Sequence, residues 1–281
     1  MDDSNNTASL SVDVEKVVAG KNPALAGRIP KFVFNYLKRL IHQDEINALL
    51  EKNGGYEGVE FASHILGDMG ITYNVHYSSP IDRNGRYIFV SNHPLGGLDG
   101  MVLIACLGKE FGNVRFMVND LLMYLSPFRN VFVPINKYGR MSHGNAAAIQ
   151  DTFMSDAQIL YFPAGLCSRK INGRITDLEW KKTFVTKAVE SRRDIVPMFF
   201  SGCNSARFYR IANLRKKLGI KFNAEMILLP DEMFRQRNTS FDLYIGEPIP
   251  HGSLTAEHTH KGWCEIIRNK CYDTHNKADR P

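Results

Sequence analysis

Ser91-Asn92-His93-Pro94-Leu95-Gly96-Gly97-Leu98-Asp99-Gly100 is the stretch on which the reading of this chain turns. An apolar run ending in Tyr87-Ile88-Phe89-Val90 precedes it and reads as a buried strand; a second apolar run, Met101 to Leu107, follows it and reads as a helix. A turn at the end of a strand is where α/β enzymes usually place their chemistry. This turn carries a histidine, the side chain best suited to take a proton near neutral pH, and an aspartate able to fix the histidine tautomer. A base with its orienting acid and no obvious local nucleophile points to a hydroxyl on the substrate as the attacking group. The plainer alternative is a turn with a capping aspartate and a hydrogen-bonded histidine, and the turn alone leaves both open.

Outward from the turn, short apolar runs alternate with amphipathic ones. Strands are expected at 71–77, 87–91, 114–118, 131–135, 159–162, 195–200, 224–229 and 241–245, and helices at 100–106, 145–154, 180–190, 205–218 and 254–269. This alternation predicts an α/β fold, a mixed and mostly parallel sheet with helices on both faces. Ahead of it, Arg28-Ile29-Pro30-Lys31-Phe32-Val33-Phe34-Asn35-Tyr36-Leu37-Lys38-Arg39-Leu40-Ile41 places Phe34, Leu37 and Ile41 at helical spacing and carries Arg28, Lys31, Lys38 and Arg39 before the first acid, Asp44. Such a basic amphipathic helix suits a membrane interface, and equally suits a helix packed on the domain with a solvated basic face. A second helix is expected at about 43–52. The expected division is a flexible N-terminus over 1–27, a helical membrane-docking region over 28–70 and the α/β domain over 71–281.

The net charge of +6 and the isoelectric point near 9.0 favour acidic partners: an anionic membrane, an acidic carrier protein or nucleic acid. No aromatic RNA-reading motif or zinc-finger spacing is present, so no nucleic-acid partner is expected. The five cysteines are odd in number and lack CxxC spacing, which suits reduced thiols better than a disulfide framework. The polar, acidic start Met1-Asp2-Asp3-Ser4 is unlike a signal peptide, and no run approaches the roughly 18 apolar residues of a spanning helix. His258-Thr259-His260 with Cys264 is too small a donor set to predict a metal site, and none is expected.

Three further segments matter beside His93. They are Val131-Phe132-Val133-Pro134-Ile135-Asn136-Lys137-Tyr138-Gly139-Arg140, then Tyr161-Phe162-Pro163-Ala164-Gly165-Leu166-Cys167-Ser168-Arg169, then Asp194-Ile195-Val196-Pro197-Met198. The proline of the last belongs at a strand start, an edge or a bulge. With the His93 turn, these blocks in this order resemble the glycerolipid acyltransferase superfamily, the lysophosphatidic-acid-acyltransferase-like proteins. That family has Asn-His-x-x-x-x-Asp, a strand leading to an acceptor-binding basic residue, Phe-Pro-Glu-Gly-Thr-Arg-Ser and a Val-Pro strand. The resemblance spans about residues 86–200. This chain departs from it in three places: five residues separate His93 from Asp99, Asn136-Lys137 stands in place of Asp-Arg, and Ala164 replaces the glutamate. The last two changes fall on residues that, in the family, recognise a phosphorylated glycerol.

His-Pro-Leu-Gly-Gly-Leu-Asp-Gly together with Phe-Pro-Ala-Gly looks like the bacterial aminolipid branch, whose members acylate the 3-hydroxyl of an N-(3-hydroxyacyl) amino acid. The resemblance implies His93 as general base and Asp99 as its orienting acid. It also implies backbone N–H groups around Gly165 as an oxyanion site, and Asn92, Asn136, Lys137, Arg140, Ser168 and Arg169 as substrate-binding residues. It implies a thioester co-substrate, on acyl carrier protein or coenzyme A, with no further cofactor, a lyso-lipid acceptor, and peripheral attachment to the cytoplasmic side of the inner membrane. Cys167 is expected to be packing rather than a nucleophile, because no acyl-enzyme is needed. Acylation of lysophosphatidic acid, or a non-catalytic lipid-binding module, are the alternatives.

Overall fold

The structure is a computed structural model and describes residues 11–119, 122–123, 125–135 and 143–278. The chain opens with five helices, α1 (Val14–Lys21), α2 (Pro23–Ala26), α3 (Lys31–Leu40), α4 (Gln43–Lys52) and α5 (Gly58–Asp68), followed by β1 (Thr72–Tyr77) and β2 (Tyr87–Ser91). Then come α6 (Leu98–Phe111), β3 (Val114–Asn119), β4 (Phe132–Ile135), α7 (His143–Met154), β5 (Gln158–Tyr161) and a small hairpin of β6 (Arg169–Ile171) and β7 (Arg174–Thr176). The remainder is α8 (Thr183–Ser191), β8 (Asp194–Phe200), α9 (Ala206–Lys217), α10 (Leu229–Arg235), β9 (Ser240–Ile245) and α11 (His260–Ala278).

Seven strands form one sheet in the order β1-β9-β8-β2-β5-β3-β4. From β8 to β4 all neighbours are parallel; β9 joins β8 antiparallel, and β1 lies parallel to β9. The alternation of side chains along each strand sorts the core into two layers. Phe89 of β2, Leu160 of β5 and Val196, Met198 and Phe200 of β8 face the layer shared with α5 and α6. Ile88 and Val90, Ile159 and Tyr161, and Ile195 face the opposite layer, which contains Phe184 of α8 and Ile267 of α11. Strands covered on both faces are continuous apolar runs, which is why β2 is buried along its whole length. The expected class, a mixed, mostly parallel sheet with helices on both faces, is the observed one.

Four local expectations are corrected. Residues 11–27, placed in a flexible N-terminus, carry α1 and α2; Asn47 exchanges hydrogen bonds with the backbone of Val12, and Gln43 accepts from the Val14 N–H. Residues 1–10 lie outside the described residues. The boundary at residue 71 does not mark a break in packing, because Phe61, Ala62, Ile65 and Leu66 of α5 are buried in the same core as α6 and the sheet. The run Ala224–Leu229, read as a strand, is a 3-10 turn over Ala224–Leu228 that leads into α10 at Leu229, with Pro230 in the first turn of that helix. Lastly, the helix expected at 254–269 begins only at His260, after a loop anchored by the Trp263 indole N–H on the Thr255 carbonyl.

Pro197 lies within β8, which has neighbours on both sides. Its carbonyl accepts from Gly246, so its nitrogen faces the same side, between the last β8–β9 pair, Met198–Ile245, and the isolated Ile195–Ile249 bridge. The missing N–H thus falls in a gap in the ladder, as at a bulge.

Candidate active site

β2 ends at Ser91, and the next residue continues the sheet by means of a side chain. The Asn92 amide donates to the Phe200 carbonyl at 3.0 Å and accepts from the Phe200 N–H at 2.7 Å. Both polar ends of Asn92 are thereby taken up by β8. The side chain is buried and locks the strand end instead of meeting a substrate, which corrects its expected binding role.

His93 follows, and its ring is held on two sides. Nδ1 lies 3.0 Å from Asp99 Oδ2, and the ring stacks on Phe162 with centroids 4.0 Å apart. Asp99 is fully buried in the first turn of α6, where the helix dipole favours a negative charge. Its Oδ2 also accepts from the Leu95 N–H at 2.9 Å, and its Oδ1 from the Gly100 N–H at 2.8 Å. The five-residue spacing closes because Gly96 takes φ +88°, a left-handed conformation. A Cβ at Gly96 would come within 2.8 Å of a Leu229 methyl and 3.4 Å of the Cys167 sulfur. With Nδ1–H directed at Asp99, Nε2 remains as the base.

The Phe162–Arg169 turn runs alongside. The Gly165 N–H donates to the Phe162 carbonyl at 3.0 Å, closing a turn, so Gly165 itself is no oxyanion donor. Among the described residues the N–H of Leu166, which comes next and is partly exposed, donates to no backbone carbonyl. Ser168 was expected at the substrate, but its hydroxyl is buried and donates to Asp177 at 2.5 Å. Its N–H ties the turn to the His93 carbonyl at 2.7 Å.

Arg169 is likewise turned inward. Its guanidinium donates to the Cys167 carbonyl at 2.6 Å and to Glu225 at 2.8 Å, and Glu225, fully buried, also pairs with Arg215 at 2.7 Å. A buried carboxylate between two arginines leaves Arg169 no free fork for a headgroup, so with Asn92 and Ser168 it is the third expected contact turned inward. Asn136, Lys137 and Arg140 lie outside the described residues. Among the described residues no group of three or more His, Cys, Asp and Glu side chains could hold a metal ion. His260 instead meets Thr186, and the Cys264 thiol the Trp180 carbonyl.

A family model described as acyltransferase matches residues 16–280. The chain belongs to that acyltransferase family. Two relatives, each 44% identical over 262 residues, are the lyso-glycine lipid O-acyltransferases of Bacteroides thetaiotaomicron and Phocaeicola vulgatus; the matches cover 93% of this chain and 96% and 94% of those proteins. Among solved structures, the 1-acyl-sn-glycerophosphate (LPA) acyltransferase PlsC of Thermotoga maritima aligns at 14% identity with a TM-score of 0.47, covering 89% of this chain and 94% of that one.

Two features of this acyltransferase's site bear on its chemistry. Cys167 is fully buried, and burial pushes its thiol up to about 12, which leaves it no thiolate character at neutral pH. Asp177 escaped the sequence reading. It accepts from the His93 N–H at 3.2 Å, from Ser168 and from the Trp180 indole at 2.8 Å, and burial pushes its carboxyl up against those hydrogen bonds. No local pattern marks it, because its partners come from the turn after β2, from the Phe162–Arg169 turn and from the loop ahead of α8. Among the described residues no helix is long and apolar enough to cross a membrane.

Proposed function

We propose that this acyltransferase moves a fatty acyl group from a thioester to the 3-hydroxyl of a lyso-aminolipid, an N-(3-hydroxyacyl) amino acid with glycine as the leading headgroup. His93 Nε2 takes the hydroxyl proton as the oxygen attacks the thioester carbonyl. Asp99 stabilises the imidazolium, a division of labour that typically contributes about 10² to 10⁴ in rate for the base alone. The N–H of the partly exposed Leu166 serves the oxyanion. Collapse breaks the carbon–sulfur bond, the imidazolium proton passes to the departing thiolate, and an ester and a free thiol result.

The observation that carries the choice of acceptor is the inward-facing Arg169. A lysophosphatidic acid places its doubly charged phosphate close along the chain to the reacting hydroxyl and calls for a free cation on this turn. An N-acyl amino acid places a single carboxylate farther away, and Ala164 leaves the turn apolar there. That both relatives are lyso-glycine lipid O-acyltransferases supports the same acceptor.

The donor is an acyl carrier protein or coenzyme A thioester, with no other cofactor. Attachment is peripheral, on the cytoplasmic side of the inner membrane. α3 supports this by leaving Phe32 and Tyr36 exposed beside Lys31 and Arg39, while Phe34 is buried against the protein.

Product analysis with palmitoyl thioesters tests the reading, using N-(3-hydroxyacyl)glycine and lysophosphatidic acid as acceptors and His93→Ala as control. Product from the glycine acceptor alone, lost in the variant, is the expected result. Product from lysophosphatidic acid alone overturns the acceptor assignment.

A further inference from the structure

We infer that the segment joining α9 to the following 3-10 turn, Leu214 to Phe222, is a membrane-inserting element separate from α3. Four large apolar side chains stand out from it: Leu214, Leu218 (63% exposed), Ile220 and Phe222 (67% exposed). Such a concentration on a water-facing surface marks a contact site. Around them Lys216, Lys217 and Lys221 are exposed, and the sequence from Ala206 to Asn223 contains no acid.

The turn is well built rather than loose. α9 closes with Gly219 at φ +69°, the Gly219 N–H donating to Lys216 and the Ile220 N–H to Arg215, both at 3.1 Å. This is a Schellman closure. In that motif the residue after the glycine usually packs back on the helix, but Ile220 is left outside. Arg215 fixes the turn from within by donating to the Ile220 carbonyl at 2.7 Å while it pairs with Glu225. A rigid turn that holds apolar side chains out in a ring of lysines matches an anionic bilayer, whose headgroups pair with the lysines while its acyl boundary takes the apolar tips. A small acidic carrier protein would call for the charges and leave most of this apolar surface wet.

The position fits the chemistry. Arg215, Glu225 and Arg169 form one buried chain of ion pairs from this segment to the turn beside His93. Leu40 of α3 packs on the cluster that contains Phe208 and Tyr209 of α9, so both surfaces flank one end of the molecule. Alongside α9, where Asn213 bonds to the Lys170 carbonyl, the β6–β7 hairpin adds exposed Ile171 and Ile175, paired across the hairpin with Arg174 and Lys170. A lipid acceptor raised slightly from a bilayer at this end would approach the turn beside His93. The inference rests on the lipid-acceptor reading above.

The test uses the full chain and vesicles of equimolar phosphatidylglycerol and phosphatidylcholine. In the Phe222→Trp variant the added indole emission should move to shorter wavelength on vesicle binding and be quenched by brominated lipid. The combined Leu218→Ser, Ile220→Ser and Phe222→Ser variant should bind vesicles about ten-fold or more weakly. It should still turn over a dispersed short-chain N-(3-hydroxyacyl)glycine at the wild-type rate. Vesicle binding with no change at the added indole, or full binding by the triple variant, overturns the inference. So does a triple variant that loses turnover with acyl carrier protein while keeping vesicle affinity, which would assign the surface to the carrier. Failure of the wild-type protein to acylate the short-chain acceptor while it still binds vesicles would instead sink the proposed function.

Discussion

Asp177 holds the backbone of His93, accepting its N–H at 3.2 Å. Asp99 holds the ring of the same residue, so two carboxylates from distant parts of the chain grip the base at separate points. His93→Ala should lower kcat by about 10² to 10⁴. Asp99→Asn should cost about 10² or more, because the amide can offer Nδ1 a donor and favour the wrong tautomer. Asp177→Asn should lower kcat about ten-fold with the acceptor KM nearly unchanged, the signature of a displaced base with an intact binding surface. Steady-state kinetics on the three variants distinguish these roles; a large rise in KM for Asp177→Asn would contradict the positioning role.

Cys167→Ala should keep wild-type kcat within a few-fold, since the buried thiol has no part in acyl transfer. The small void beside Phe208 and Leu228 should cost about 1 kcal/mol of stability. Mass spectrometry of wild-type protein incubated with donor alone should find no acyl adduct. An adduct on Cys167 would replace direct transfer with a two-step route.

Arg169→Met separates a structural arginine from a headgroup ligand. Removing one partner of a buried ion pair typically costs about 3–5 kcal/mol, although Arg215 still faces Glu225 and should lower that figure. Thermal unfolding should show a clear fall in Tm, while the acceptor KM of the folded protein changes little. A stable variant with a greatly raised KM would return Arg169 to the binding site.

His42 joins α3 to α4 at φ +53°, and its two nitrogens meet Glu45 at 3.1 Å and Asp231 of α10 at 3.0 Å. Arg207 and Arg235 also reach Asp231. Burial lowers the His42 pKa, but the hydrogen bonds from Asp231 and Glu45 outweigh it and raise the group above 6.5. Glu45 is held below 4.5 chiefly by its hydrogen bond to His42; at Asp231 burial is outweighed by the bonds from His42 and Arg235, which hold it below 3.8. The histidine contribution is complete below 6.5 and fades as pH rises through the raised folded value; the carboxylate contributions are complete above 4.5 and fade as pH falls through the lowered ones. The latch between α3 and α10 is therefore strongest from about pH 4.5 to 6.5. Hydrogen exchange, corrected for its intrinsic pH dependence, should show α3 and α4 better protected at the acidic end than under alkaline conditions. His42→Gln should remove the difference.

What the sequence disclosed follows the range of the forces involved. β2 and the turn after it were readable because an unbroken apolar run and two glycines are local signals, and the strand begins and ends where expected. The run Ala224–Leu229 misled because its apolar letters surround Glu225, which is buried only through arginines at positions 169 and 215. Ser168 and Arg169 matched the family's substrate contacts in residue type, yet their partners, Asp177 and Glu225, lie outside the motif and are not announced by it. Arg193 shows the same limit: it is fully buried, donating to the carbonyls of Phe153 and Ala157 at 2.7 Å and also to Ser155, and backbone acceptors leave no mark in the sequence.

The Asn92 amide, by pairing with both backbone groups of Phe200, acts as one extra rung after the last residue of β2. His93 is therefore placed by counting along a ladder. Because successive residues of a strand face opposite sides, sliding β2 by one position against β8 would send the imidazole to the far layer of the molecule. Single-residue insertions or deletions between Tyr87 and Asn92 should accordingly be far more damaging than substitutions there, and laboratory evolution of acceptor preference should find its freedom in the turns and leave the length of this strand alone.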